Sequence, residues 1–177
     1  ARPLDPLVTA DWVAEHRADP HVALVEVSAD ATLYRQGHLP GAVDWSRQAA
    51  LARRLRPGRR FSAAMARLLG DSGIDNYATV VLYGDHRNRF AADACWRLAL
   101  CGHADVRLLD GGRDAWLRAG GPMSLATPDR IRTTYRAADP DARLHVSRAG
   151  AKRMTGDGPV IVDVDVADVV TPPGAIH

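Results

Sequence analysis

Lysine is almost missing from this chain: Lys152 is the only one among 177 residues. Arginine carries the positive charge instead, which reads as compositional bias ahead of functional choice. With 23 Lys+Arg against 21 Asp+Glu, the formal net charge is +2. That is too near balance to indicate a nucleic-acid partner. Cysteine is scarce too. Cys95 and Cys101 are the only two, which excludes a disulfide framework and suits a reduced, cytoplasmic setting. No apolar run approaches the ~20 residues a membrane helix needs, so no membrane partner is expected. Ala1 to Pro6 holds no signal-peptide core. No spacing of Cys, His and carboxylates makes a metal site, and neither a metal nor another cofactor is expected. Aromatic residues are few at 6%, and Trp12, Trp45, Trp96 and Trp116 stand singly, as packing residues do.

Apolar content, at 46%, is ample for a buried core, and the length suits one ordinary domain plus a remainder. The stretch around which the rest is organised is Thr79-Val80-Val81-Leu82-Tyr83-Gly84-Asp85-His86-Arg87-Asn88-Arg89-Phe90. Thr79 to Tyr83 is a β-branched and aromatic run without alternation, the pattern of a strand covered on both faces. Gly84 breaks it, and a helix is predicted from about Arg89 to Cys101, closed by Gly102. A strand feeding a helix through a tight loop aims backbone N–H groups and a positive dipole end at one spot.

Along the chain, Thr9 is placed to N-cap a helix reaching about Ala18, with Asp19-Pro20 as its stop. Val22 to Val27 reads as a strand. Tyr34 to Val43 holds a turn with glycines on either side of Pro40, followed by a short strand, Ala42 to Asp44. Arg47 to Arg60 carries six arginines and reads as a solvated loop in preference to a site for an acidic partner. Ser62 is predicted to cap a helix containing Met65, Leu68 and Leu69. Val106 to Leu109 is a further strand, and Trp116 and Leu117 lie on a short helix closed by Gly120-Gly121-Pro122. This alternation implies βαβ units: an α/β fold with a mostly parallel sheet and helices on both faces. Residues 122–143 read as a linker. Beyond them, a helix from Ser147 to Thr155, a strand from Pro159 to Val164 and a Pro173-Gly174-Ala175 turn repeat the opening of the chain. The apolar strand there is expected to pair with a sheet edge, its own or that of a second copy in a homodimer.

Five pieces together resemble the rhodanese, or thiosulfate sulfurtransferase, family in its two-domain form. They are Leu24-Val25-Glu26-Val27, Gly37-His38-Leu39-Pro40-Gly41-Ala42, Thr79 to Asp85, Cys101 to Gly112, and Trp116. They arrive in the family's order from about Leu7 to Gly121. Pro172 to His177 resembles the same turn of a second domain, with Val170-Thr171 in place of Gly-His. The resemblance implies a three-layer fold with a five-stranded sheet over residues 1–121, and an incomplete second domain over 144–177. It also implies a catalytic cysteine in the loop after Tyr83, which takes a sulfane sulfur as a persulfide and passes it to a thiophile. Here that position falls on Gly84 or Asp85. The chain therefore resembles the first, non-catalytic domain of tandem members.

The loop has two readings. Gly84, Arg87, Asn88 and Arg89 can cradle a small oxyanion or sulfur-bearing ligand, with Asp85 and His86 as the candidate acid or base. Alternatively the loop is a solvated vestige that starts a helix, or Asp85 itself occupies the cradle. Cys95 and Cys101 sit where no helix dipole activates them, so both read as structural. His38 is expected to fix its turn, and His103 to sit favourably at a helix end. Two function classes remain open. One is a non-catalytic binding or structural module. The other is an enzyme, either a sulfurtransferase whose cysteine lies elsewhere or a reused pocket acting on an anionic small molecule.

Overall fold

The computed structural model describes residues 5–48, 55–146 and 150. The chain divides into two compact units, one ending at Asp141 and one beginning at Ala142. The repeat segment, its apolar strand and any dimer contact through it fall, apart from Gly150, outside the described residues. The sheet belongs to the first unit.

Five strands form one sheet in the order β1-β5-β4-β2-β3, and every neighbouring pair is parallel. They are β1 (Leu7–Val8), β2 (Val22–Glu26), β3 (Val43–Asp44), β4 (Thr79–Tyr83) and β5 (Val106–Leu109). The helices are α1 (Ala10–His16), α2 (Leu33–Gln36), α3 (Arg59–Asp71), α4 (Arg89–Leu100) and α5 (Gly112–Arg118). β4 is central, which is why its sequence shows no alternation: both of its faces are covered. Val80 and Leu82 pack with Ala23 and Val25 under Phe61, Met65 and Leu69 of α3 and Ala91, Ala94 and Leu98 of α4. Val81 and Tyr83 pack with Val22 and Leu24 on the opposite face, against Val13 of α1 and Trp116 of α5. The period-2 direction of strand side chains thus divides one apolar run between two cores.

Thr9 caps α1 as expected, its hydroxyl accepting from Trp12 N at 3.1 Å. Ser62 does not cap α3. That helix starts three residues earlier, at Arg59 after Gly58, with no side-chain cap. Ser62 lies inside it and donates instead to the Ala138 carbonyl at 3.0 Å. β1, two residues long, is too short to leave a periodic signal in the sequence.

Residues 122–141 carry almost no regular structure yet are bonded along their length to the sheet unit. Ser124 and His38 exchange backbone bonds at 2.8 and 2.9 Å. The Arg130 guanidinium donates to the Gly41 carbonyl, and Thr133 N to that of Gly70. Arg136 pairs with Asn76, and Ala138 N donates to the Cys101 carbonyl. Tyr135 is buried in the α3/α4 core.

Candidate functional site

The chain leaves β2 toward β3 on one side, then returns to place β4 on the other and β5 beyond it, between β4 and β1. The direction of winding reverses between β2 and β4, and ligands of open parallel sheets settle outside the strand ends at such a point. Two loops meet there: the one after β2, from Val27 to Thr32, and the one after β4, from Gly84 to Asn88.

Gly84 ends β4. A Cβ there would land on the Val27 carbonyl oxygen, so only glycine lets the two loops approach this closely. His86, Arg87 and Asn88 follow as a single 3-10 turn, all with left-handed backbone, at φ 44°, 55° and 66°. Each such residue other than glycine costs on the order of 1–2 kcal/mol. The surroundings hold them. Asn88 is buried. Its Oδ1 accepts from Gly84 N at 2.9 Å and its Nδ2 donates to the Leu109 carbonyl at 2.6 Å. Arg113 N donates to the Gly84 carbonyl at 3.1 Å. Asp85 turns its carboxylate away from its own loop onto the loop after β2, where Ala29 N donates to Oδ1 at 2.7 Å and Asp30 N to Oδ2 at 3.2 Å. Its side chain is 12% exposed, against 70% for His86, whose Nε2 lies 3.7 Å from Oδ2.

Beneath the loop lies a buried polar network that the sequence did not announce. Glu26, at the end of β2, is fully buried. Its Oε2 accepts from the Tyr83 hydroxyl at 2.7 Å and from Arg113 Nη1 at 3.1 Å, and its Oε1 from Ser28 Oγ at 2.9 Å. Arg113 also donates to the Gly37 carbonyl, and the Tyr83 hydroxyl accepts from Leu39 N at 3.1 Å. Burial raises the Glu26 carboxyl above its ordinary range, while Tyr83, Arg113 and Ser28 pull it back. Burial also pushes the Tyr83 phenol well up. The network ties the β2 and β4 ends to the Gly37–Ala42 turn. Its sequence signal was slight: a carboxylate and a tyrosine, each at the end of an otherwise apolar strand.

The sequence-nominated residues therefore separate. Gly84 and Asn88 are buried and serve the scaffold. His86, Arg87 and Arg89 are exposed at the loop surface. Asp85 is bound by amides of the neighbouring loop. Cys95 and Cys101 lie elsewhere, packed with the α3/α4 core. Burial pushes their thiols up to about 12 and about 11, leaving almost no thiolate at neutral pH. The buried His38 ring stacks on Tyr34 at 3.8 Å and bonds the Tyr34 and Ala126 carbonyls. His103, just past the end of α4, is buried. Its Nε2–H donates to the Ala78 carbonyl, its Nδ1 accepts from the Tyr135 hydroxyl, and burial lowers its pKa.

The sequence pattern of the family described as Rhodanese-like domain matches residues 9–119. The chain is 44% identical over 126 residues to the sulfur carrier protein TtuD of Thermus thermophilus, covering 69% of this chain and 43% of that protein. It is 41% identical over 160 residues to SseA of Mycobacterium tuberculosis, provisionally named a thiosulfate sulfurtransferase, covering 88% and 52% respectively. Among solved structures, SseA of Escherichia coli, a 3-mercaptopyruvate sulfotransferase, superposes with a TM-score of 0.75. The match covers 89% of this chain and 64% of that one at 21% identity, a likeness of fold alone. The chain spans about half the length of the curated relatives it matches. With the five-stranded parallel sheet and these matches in agreement, the chain belongs to the rhodanese, or thiosulfate sulfurtransferase, family.

Proposed function

We propose that the described unit is a rhodanese domain without its nucleophile, the non-catalytic half of a two-domain sulfurtransferase. The observation that carries this reading is Asp85, the second residue of the loop after β4, with its carboxylate bound by Ala29 N and Asp30 N. Sulfur transfer in the family needs a thiolate at that loop. The thiolate attacks the sulfane sulfur of thiosulfate, a sulfur–sulfur bond forms, the old one breaks, and sulfite leaves with its electron pair. A thiophile such as cyanide then takes the outer sulfur and restores the thiolate. An aspartate carboxylate offers no comparable sulfur–sulfur bond. Matches to about half of each relative support the tandem arrangement. The test is cyanide-dependent thiocyanate formation by the purified 177-residue chain, expected at the level of heat-killed protein. Turnover abolished by alkylating Cys95 or Cys101 would overturn the reading.

A second reading concerns the outer loop. The Asp85 carboxylate faces the loop after β2, while Arg87 and Arg89 are exposed. That orientation favours weak oxyanion binding at the Arg87 and Arg89 surface. Titration calorimetry with sulfate and thiosulfate checks it: Arg87→Ala and Arg89→Ala should each weaken binding. Equal binding by parent and variants would reduce the loop to a vestige.

A further inference from the structure

We propose that the backbone amides of Ala29 and Asp30 form a carboxylate-binding site at the switch point of the sheet. Its resident ligand is the Asp85 side chain, which keeps free oxyanions out. The two amides converge on one carboxylate and each takes a different oxygen, at 2.7 and 3.2 Å. The donors belong to loop backbone preceding the four-residue α2, not to a helix end.

Three features show that the pair is built to receive an anion. Its backbone is fixed on both sides: Ser28 N donates to Ser46 Oγ at 3.0 Å, and Asp30 Oδ1 accepts from Thr32 N at 2.8 Å and Thr32 Oγ1 at 2.7 Å. Those Thr32 bonds hold the Asp30 carboxylate on its own turn, so the adjacent acid does not fill the pair. The third feature is the desolvated state of the occupant. The Asp85 side chain is 12% exposed, and a carboxylate so far removed from water is costly unless charge-assisted bonds replace its hydration. Ala29 and Asp30 are themselves exposed, so the amides are open to solute once the carboxylate is gone. Tethering gives the resident an effective concentration on the order of millimolar or more, which excludes weakly binding free anions. Asp85, one of the two positions on which the family's thiol falls, thus holds an internal anion that closes the site. This goes beyond the sulfurtransferase reading but rests on the same Asp85 contacts.

The test follows the Ala29 and Asp30 amide resonances by NMR in the full chain, with formate as the probe and chloride at equal ionic strength as the control. In the parent, formate should leave both resonances unmoved. In Asp85→Ala, both should shift upfield, and formate should return them saturably, with a Kd in the millimolar range. Chloride should not. Asp85→Asn keeps one acceptor oxygen, so one amide should hold its shift while the other moves. The proposal is overturned if the Ala variant leaves both amides in place, or if they move and formate does not return them while the spectrum stays dispersed. If the Ala variant does not fold, the Asn variant decides: two unmoved amides overturn the proposal. Sulfate binding at Arg87 and Arg89 in the parent would be read at those residues, so each idea can fail alone.

Discussion

The loop from Gly84 to Asn88 and the segment from Pro122 to Asp141 are both irregular backbone, and they are held in different ways. The loop is held by side chains. Asn88 bridges Gly84 N and the Leu109 carbonyl, Asp85 grips two amides across the switch point, and three left-handed residues are kept in place as a result. The longer segment is held mainly through its own backbone, in bonds to Gly70, His38, Cys101 and Leu100. At Gly70 a Cβ would lie 2.6 Å from the Thr133 carbonyl oxygen, so glycine makes room for the passing chain. Strain is stored only in the first region, at the site where the family places its chemistry. The lesson is that this chain holds three left-handed residues in a short loop that also carries a bound carboxylate.

The comparison breaks most sharply at Asn88. Asn88→Ala removes the acceptor of Gly84 N–H and the donor to the Leu109 carbonyl, both buried, and leaves a left-handed residue without support. Destabilisation of about 2–4 kcal/mol is expected by denaturant titration. A loss under about 0.5 kcal/mol would show that the loop conformation is not held by its side chains. Next comes Gly70→Ala, expected to cost about 1–2 kcal/mol, because the Thr133 backbone has to shift but can do so at the surface. Limited proteolysis should then cut near Thr133 sooner than in the parent, with the loop after β4 unchanged.

A smaller, graded effect is expected from pH. Tyr34, Tyr135, Cys95 and Cys101 have pKa values raised by burial, to about 12, 12, 12 and 11. The unfolded chain loses these protons first, near pH 9 to 10, while the folded chain keeps them. The stability they contribute is therefore complete below that range and is lost as pH rises toward 11 to 12. His103 works in the other direction. Burial lowers its pKa, so its contribution is present above about pH 6.5 and declines as pH falls. Thermal melts across pH should show a plateau with a steeper alkaline edge. Replacing Cys95 with Ser should soften that edge, and His103→Gln should soften the acid one.

Much of the sheet unit was legible in the sequence because its signals are local. β4 coincides with Thr79–Tyr83, and the helix after it begins at Arg89 as the break at Gly84 implies. The Thr9 cap is a three-residue interaction and could be read directly. What could not be read depends on distant partners. Ser62 looks like a cap until the Ala138 carbonyl, 76 residues away, accepts its hydroxyl hydrogen bond. Residues 122–141 are polar and proline-bearing, so nothing in them reveals that glycines and carbonyls elsewhere receive them. The candidate site was half visible. The loop was located from its strand and helix, but the partner of Asp85 lies 55 and 56 positions back along the chain. The sequence showed equally little of the bond that gives Asn88 its structural role.

We propose that the loop after β4 can still hold a sulfur-bearing thiol, with Asp85, of the two candidate positions Gly84 and Asp85, as the one that would carry it. Intact mass after incubation with thiosulfate, followed by peptide mapping, tests it most directly on the parent and on Asp85→Cys. The parent should gain no sulfur. The variant should gain one, located at residue 85 and removed by cyanide, because the Ala29 and Asp30 amides that donate to the Asp85 carboxylate can stabilise an anion there. Sulfur gained by the parent at Cys95 or Cys101, or a folded Asp85→Cys variant that stays unmodified, would contradict the account.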